Sequence, residues 1–319
     1  NKVIKTPGKP EDSFSDDPLR MLRAARFASQ LDFEIAPEVL TAMKDMAKRL
    51  EIISAERIRD EITKLLMSPK PRTGITILVE TGLADIALPE IPKLRLEVDE
   101  HHHHKDVYEH SITVLEQAIE LEHRLGGPNL VIRLAALLHD IGKPKTRALL
   151  EGGGVSFHHH EVVGARLAKS RLKALRFSGE TIEEVETLIA LHLRFHGYGD
   201  GEWTDSAVRR YVRDAGSLLT HLHVLTRADC TTRNARKAAR LAATYDSLEA
   251  RIAILMEQEE LSKIRPDLDG AEVMSLLGIK PGADVGRALG FLLELRMDQG
   301  PLGKEKATEE LMQWWAKRN

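Results

Sequence analysis

Apolar residues recur at intervals of three and four along most of the chain, which is the spacing of one face of an α-helix. Strand-like alternation is nearly absent, and residues 95–98 are the only weak candidate for a strand. Aromatic residues make up only 4% of the chain, which suits helices packed through Leu, Ala and Ile rather than a β-sandwich. The pattern therefore predicts an all-α fold.

Proline, glycine and acidic residues divide the first hundred positions into short helices. Residues 10–17 form an acidic lead that resembles a turn, and Pro18 then occupies a favoured first-turn position of a helix. Pro89 and Pro92 end this region. Three further helices are expected: from Pro37 to about Leu50, from Ser54 onward, and from Gly74 to about Glu80.

The pair His139-Asp140 stands at the end of an apolar helix, where burial makes polar side chains costly. A single buried histidine is usually structural and satisfied by a hydrogen bond. Here, however, four further histidine or aspartate residues, which are types that can bind metals, lie on or continue the apolar stripes of other helices. These residues are His110, His160, His192 and Asp229. All of them could point into the core of one helical bundle.

Four histidines and two aspartates exceed the needs of one ion. We expect His110, His139 and Asp229 to hold one divalent cation, His160 and His192 to hold a second, and Asp140 to bridge them. Imidazole with carboxylate suits Mn, Fe, Co, Ni or Zn and tolerates Mg. Such a pair of ions clamps a phosphate and activates water at neutral pH. The predicted reaction is phosphoester hydrolysis.

Two residues of this segment are expected to take part in that reaction directly. Asp140 is the predicted catalytic carboxylate, because it is shared by both ions. Lys143 follows it by three residues and could neutralise the negative charge that develops on the phosphate, with help from Lys145. The neighbouring Cys230 lies beside Asp229 but is expected to be structural.

Composition limits the expected cellular location and the possible binding partners. The single cysteine excludes an internal disulfide and fits a reducing, cytoplasmic location, and no apolar run is long enough for a membrane span. The net charge of −3 gives no general attraction to nucleic acid, so an RNA-binding surface must be local. One candidate is the basic stretch of Arg233, Arg236, Lys237 and Arg240, although a solvated helix face is its plainer interpretation.

A second candidate site lies near the N-terminus. Asp17 and Arg20 begin a helix and could form a rigid acceptor and donor edge that reads a nucleobase. Arg57 and Glu61 are expected to project together, with Lys64, from the polar side of the helix after Ser54. The plainer interpretation of the first helix is a capped, solvated surface with ion pairs.

These motifs resemble two known families. His110, His139-Asp140 and Asp229 are similar to the signature of the HD phosphohydrolase superfamily, with His160 and His192 at its binuclear positions. Residues 16–27 resemble the neck motif (E-D-x-x-R, then R-x-x-R-F) of class II tRNA nucleotidyltransferases, although Asp16 stands where that family usually has Glu. Two further stretches resemble that family's next motif and its tail. These are residues 54–66, and residues 265–270 with 278–282.

The resemblance implies roles for these residues. Asp17 and Arg20 would be the protein template that selects CTP or ATP, Arg57 and Glu61 would support it, and tRNA would be the partner. The expected domains are a neck and body over 1–98, an HD phosphohydrolase domain over 99–262, and a tRNA-binding helical tail over 263–319.

The family's head domain, with a Gly-Ser strand and a carboxylate pair that holds Mg, is expected before Asn1. Without it, this chain should not transfer nucleotides, and the retained activity would be metal-dependent phosphohydrolysis at an RNA end. Two alternatives stay open: a free-standing HD phosphohydrolase of nucleotides, and a non-catalytic tRNA-binding module with a decayed metal site. Whether the whole enzyme adds CCA, only A, or poly(A) is also open.

Overall fold

The computed structural model describes residues 2–96, 106–150, 154–195, 198, 203–232, 234–259 and 265–317. The all-α prediction is confirmed: within these ranges, strands occur only as two pairs of two residues each. β1 (Val3–Ile4) runs parallel to β2 (Glu34–Ile35), and β3 (Ala148–Leu149) runs antiparallel to β4 (Val155–Ser156). None of the described helices combines the length and apolar character needed to cross a bilayer.

The chain folds into two compact units, each with its own internal packing. The first contains residues 1–193 and 220–235, and the second contains residues 194–219 and 236–319. All six predicted metal ligands and all four predicted nucleotide-binding residues belong to the first unit. The expected boundaries at residues 98 and 262 stay predictions.

The N-terminal part of the first unit is a set of short helices. The acidic lead is itself helical, so the expected turn there is wrong. Pro10 takes the first helical position, Glu11 and Asp12 complement the helix dipole, and Phe14 is buried in the core. The helices are α1 (Pro10–Asp16), α2 (Leu19–Leu31), α3 (Pro37–Met46), α4 (Ala55–Leu66), α5 (Pro71–Glu80) and α6 (Ala84–Ala87).

Two other expectations for this region need correction. The helix after Pro37 ends at Met46 and continues as a tighter 3-10 helix over Ala47–Ile52. The weak strand candidate is also wrong where it is described, because Pro92–Leu96 forms a 3-10 helix. Residues 97 and 98 lie outside the described residues.

Longer helices complete the first unit and supply the candidate ligands. Their apolar stripes are buried against one another, as the spacing predicts. They are α7 (Val107–Glu120), α8 (Leu130–Leu138), the short α9 (Lys143–Thr146), α10 (His160–Ala174), α11 (Gly179–Leu191) and, later in the chain, α13 (Leu219–Ala228).

The second unit is a smaller helical assembly. Asp267 and Asp269 stabilise its structure: Asp267 pairs with Arg296, and Asp269 caps α15 in a capping box with Glu272. Its helices are α12 (Asp205–Ala215), α14 (Ala235–Glu259), α15 (Gly270–Leu277), α16 (Ala283–Gln299) and α17 (Lys304–Ala316). The core of the last three contains Leu268, Val273, Ala288, Leu292, Ala307 and Leu311.

A buried arginine joins the two sets of helices in the first unit. The Arg133 guanidinium, only 4% exposed, donates to both carboxylate oxygens of Glu122 at 2.6 and 2.7 Å. It also donates to the main-chain oxygens of Leu66 (2.6 Å) and Ser68 (3.0 Å), at the end of α4. One group on α8 therefore satisfies carbonyls that the last turn of α4 leaves unpaired.

Replacing Arg133 should be costly, because Glu122 would keep a buried, uncompensated charge. We expect Arg133→Met to lower the free energy of unfolding by about 3–5 kcal/mol in urea titrations. Arg133→Met combined with Glu122→Gln should recover part of this loss. The exposed Arg166→Met is the control and should change stability by about 0.5 kcal/mol or less. A single variant as stable as the parent would contradict this role.

Candidate metal centre and neck site

The six candidate ligands converge from five places in the first unit, mostly helix ends. His110 lies in the first turn of α7, and His139-Asp140 follows the last residue of α8. The remaining three occupy the start of α10, the position after α11 and the position after α13. These are His160, His192 and Asp229. Because the ligands lie at the ends of these helices, their side chains can meet while the apolar faces of the helices pack together.

The ligand atoms form two groups, each with atoms within 4.8 Å of one another: His110, His139 and Asp229, and Asp140, His160 and His192. In the first group, His110 Nε2 lies 2.9 Å from Asp229 Oδ1 and 3.3 Å from His139 Nε2. In the second, His160 Nε2 lies 3.2 Å from Asp140 Oδ1. The adjacent pair is divided between the groups, with Asp140 in the second, whereas the sequence predicted that Asp140 would bridge both. Asp140 Oδ2 lies 3.2 Å from His139 Nε2 and 3.5 Å from His110 Nε2, so this carboxylate also borders the first group.

Three of the four imidazoles are oriented by the main chain. The Nδ1 atoms of His139, His160 and His192 lie 2.8, 2.8 and 2.6 Å from the carbonyl oxygen of the residue three positions earlier. A carbonyl only accepts hydrogen bonds, so each Nδ1 must carry the proton. In the neutral form of each ring the lone pair is therefore on Nε2, which faces the cluster, as a cation ligand requires.

The buried carboxylate of Asp140 fits a divalent cation. Both of its oxygens are enclosed, and no donor among the described residues meets either with hydrogen-bond geometry. Burying such a charge is costly unless it is paired or coordinates a metal. Lys143 Nζ, 2.9 Å from Oδ2, provides one opposite charge. Four imidazoles and a second carboxylate, that of Asp229, complete a donor set suited to a transition metal.

Protonation in the cluster follows from burial and neighbouring charges. Burial opposes ionisation of Asp140, but the positive charges of His139 and Lys143 outweigh it and lower the pKa of this carboxyl. Burial also opposes ionisation of Asp229, whose pKa is lowered by hydrogen bonds and charge from His110 and His139. Burial lowers the pKa of His192 to about 3, so this ring is neutral. For His139, burial is outweighed by Asp140 and Asp229, which raise its pKa to about 10. Cation binding at His139 therefore displaces a proton.

Glycines allow the segment after α8 and the start of α10, which carry Asp140 and His160, to approach each other. A Cβ added to Gly142 would lie 2.1 Å from the His160 main-chain oxygen, and one added to Gly164 would lie 3.3 Å from the His139 oxygen. The contact is between main-chain atoms, so no side chain can move aside. This approach places the start of α10, and with it His160, beside Asp140.

Gly142→Ala should therefore push α10 away from Asp140. We expect the affinity for Mn²⁺, measured by calorimetric titration, to fall about tenfold or more, together with the unfolding temperature. Gly179→Ala is the matched control, because its added methyl group meets nothing within 4 Å. If Gly142→Ala bound Mn²⁺ as tightly as the parent, the close contact would not set this geometry.

The predicted nucleotide-binding residues lie together around the start of α2. Arg57 donates to both oxygens of Asp17 at 3.1 and 3.3 Å, and Arg23 lies 3.6 Å from the same carboxylate. Arg20 instead donates to the Ser13 hydroxyl at 3.0 Å, and its side chain is 45% exposed. Asp17 is thus fixed by two arginines, while Arg20 keeps an exposed guanidinium beside it in sequence.

Glu61 does not project with Arg57 from an exposed face, so that expectation is wrong. Glu61 is only 4% exposed, because its carboxylate turns toward α2 and pairs with Arg26 (2.7 Å) and Arg23 (3.4 Å). Lys64 reaches the same carboxylate only at 4.0 Å. Arg23 therefore touches both Asp17 and Glu61, and links α4 to the start of α2.

The described residues of the basic stretch belong to the second unit. Arg236, Lys237 and Arg240 are exposed on α14, in the second unit. Arg233 lies outside the described residues.

Two contacts were missed by sequence reasoning. Arg23 and Arg26 bind Glu61, and no pattern in the sequence indicates this pairing. Thr231 is buried, and its hydroxyl lies 3.1 Å from His110 Nδ1. Its position two residues after Asp229 is the only signal that could have drawn attention to it.

Two protein-family profiles match the chain. One, described as "Probable RNA and SrmB- binding site of polymerase A", covers residues 32–94, and the other, described as "HD domain", covers residues 107–256. The chain is also similar over most of its length to two bacterial proteins. It is 34% identical to an A-adding tRNA nucleotidyltransferase of Deinococcus radiodurans, covering 96% of this chain and 70% of that protein. It is 34% identical to a CC-adding tRNA nucleotidyltransferase of Thermus thermophilus, covering 95% and 68%.

Solved structures agree on the fold. A Bacillus stearothermophilus CCA-adding enzyme in complex with CTP matches with a TM-score of 0.61 and 21% identity, over 99% of this chain and 66% of that chain. A Thermotoga maritima CCA-adding enzyme complexed with tRNA matches with a TM-score of 0.52 and 16% identity, over 98% and 64%. At these identities the likeness concerns the fold alone.

Proposed function

Because the chain belongs to the tRNA nucleotidyltransferase family and carries an HD domain, we propose that this domain is a metal-dependent phosphohydrolase. Its substrates would be phosphate esters at RNA ends, including 2′,3′-cyclic and terminal phosphates, or on nucleotides. One observation carries the proposal: there are two groups of three candidate ligands, and the adjacent residues His139 and Asp140 belong to different groups. A phosphoester bound there would meet both groups at once.

Each group of three residues would hold one divalent cation. His110, His139 and Asp229 would hold the first, and Asp140, His160 and His192 the second. When bound, such a pair of ions activates water and neutralises phosphate charge. The donor types suit Mn, Fe, Co, Ni or Zn and tolerate Mg.

The chain's own groups would orient the substrate. The Asp229 side chain is 17% exposed, whereas that of Asp140 is fully enclosed, so the cluster opens to solvent on the Asp229 side. The phosphate would enter from that side. The buried ammonium of Lys143, held 2.9 Å from Asp140, adds positive charge that a phosphate oxygen can bind.

Asp140→Ala should abolish hydrolysis of a generic phosphodiester. With bis(p-nitrophenyl) phosphate and saturating Mn²⁺ or Ni²⁺, we expect the rate to fall at least about 100-fold, because one ion loses its carboxylate. Asp60→Ala is the control and should keep the parent rate, since Asp60 is exposed and pairs with Arg59.

Metal content must be measured alongside the rate. An Asp140→Ala protein that hydrolyses the diester at the parent rate when metal-loaded would overturn the assignment. A parent protein that purifies without stoichiometric metal, and is inactive with added Mn²⁺ or Ni²⁺, would favour the non-catalytic tRNA-binding alternative.

For the neck we propose that Asp17 and Arg20 select CTP or ATP, with Arg57 and Glu61 as supports. A fixed carboxylate beside an exposed guanidinium offers the acceptors and donors that a nucleobase edge needs. We further propose that the whole enzyme adds to or repairs tRNA 3′ ends. The relatives carry the names A-adding and CC-adding, so the number and kind of nucleotides added is left open.

The neck proposal is testable as binding to this chain. We expect Arg20→Ala to weaken CTP and ATP binding about tenfold, since a charge-assisted hydrogen bond is worth about 1.5–3 kcal/mol. Calorimetry or fluorescent-nucleotide displacement would measure it. Arg287→Ala is matched in exposure (46% against 45%) and should bind like the parent.

If Arg20→Ala left binding unchanged, the neck would be a scaffold, as the free-standing phosphohydrolase alternative requires. Contact with tRNA is proposed for the basic stretch on α14, with Arg236, Lys237 and Arg240 as the described residues. Arg233, outside the described residues, completes that set.

A further inference from the structure

Thr231 makes His110 different from the other three histidines of the metal centre. Their Nδ1 atoms face main-chain carbonyls, but His110 Nδ1 faces a side-chain hydroxyl, Thr231 Oγ1, at 3.1 Å. We propose that Thr231 is a positioning residue that sets the cation affinity of the group formed by His110, His139 and Asp229. The inference rests on the proposed metal centre and names a residue that controls half of it.

The hydroxyl would act on the His110 ring. To present its Nε2 lone pair to a cation, His110 must carry its proton on Nδ1 and donate it to Thr231 Oγ1. Thr231 is 5% exposed and His110 is 4% exposed, so water does not readily replace the bond. Without the hydroxyl, the buried Nδ1–H loses this acceptor and the ring loses an orienting contact. Partners of this kind typically tune metal affinity 10- to 100-fold.

The same bond holds the segment that carries Asp229. Asp229 follows α13, and its N–H still donates to the Leu225 oxygen at 2.9 Å. Two residues later, Thr231 ties the chain to α7 through His110. Gln117, two turns further along α7, adds a second tie when its amide is oriented to donate to the Ala228 and Cys230 oxygens. Thr231 thus fixes two ligands of the first group, His110 directly and Asp229 through the main chain.

The effect should be confined to one group. Asp140, His160 and His192 lie on other segments, and two of these are histidines whose rings the main chain already orients. Loss of the hydroxyl should therefore weaken one cation site and spare the other. A general loss of folding would weaken both.

The test uses three variants of the whole chain. Thr231→Val removes the hydroxyl at nearly constant volume, and Thr231→Ser restores it. Thr226→Val is the matched control, because Thr226 is also buried (3% exposed) but donates to the Leu222 oxygen at 2.9 Å. Each is titrated with Zn²⁺ while the ring nitrogens of ¹⁵N-labelled histidines are followed by NMR. Single His→Gln variants assign the signals.

We expect Thr231→Val to need about 10- to 100-fold more Zn²⁺ to shift the His110 signals. The His160 and His192 signals should shift at parent concentrations. Thr231→Ser and Thr226→Val should resemble the parent throughout. Parent-like Zn²⁺ binding at His110 in Thr231→Val would overturn the inference, as would an equal loss in Thr231→Ser, which would indicate packing instead of the hydroxyl.

Failure of the proposed function would look different. In that case the parent would bind no Zn²⁺ at His110, His139, His160 or His192. The metal-free spectra would still test the contact, because Thr231→Val must move the His110 Nδ1 signal and leave His192 in place. An unmoved His110 signal would overturn the role of Thr231 independently of any metal.

Discussion

The buried guanidinium of Arg133 is the interaction on which the first unit depends. It neutralises Glu122 and at the same time binds the carbonyls that end α4. α4 carries Arg57 and Glu61 of the neck, and α8, which carries Arg133, leads directly into His139-Asp140. The two candidate sites are thus built on helices that share one desolvated charge, and neither helix can shift without leaving polar groups unpaired.

The convergence of the six candidate ligands was predictable because each is placed by the helix that it begins or follows. A histidine that continues an apolar stripe must face the interior, and several such stripes can meet only in a common core. The carbonyl that orients His139, His160 or His192 is three residues away, so even ring orientation is a local property. For this part of the site, local sequence determines the chemistry.

Other features depend on contacts that no local pattern carries. Glu61 is buried because it meets arginines 35 and 38 residues earlier, and His110 meets Thr231 121 residues later. α1 has only seven residues and is marginal as an isolated helix, so the burial of Phe14 in the core must hold it. Residue type and spacing predicted a solvated face for Glu61 and a turn for residues 10–17, and tertiary packing overrode both.

The contact of Gly142 and Gly164 has a consequence for how this site can vary. Main-chain atoms set the distance between the end of α8 and the start of α10, and main-chain atoms are the same in every sequence. The outer surfaces of both helices can therefore diversify without altering the gap between the ligands they carry. Position 142 would accept only glycine and position 164 would accept a larger residue only with a small shift, whereas neighbouring positions on the outer surfaces are under no such restriction.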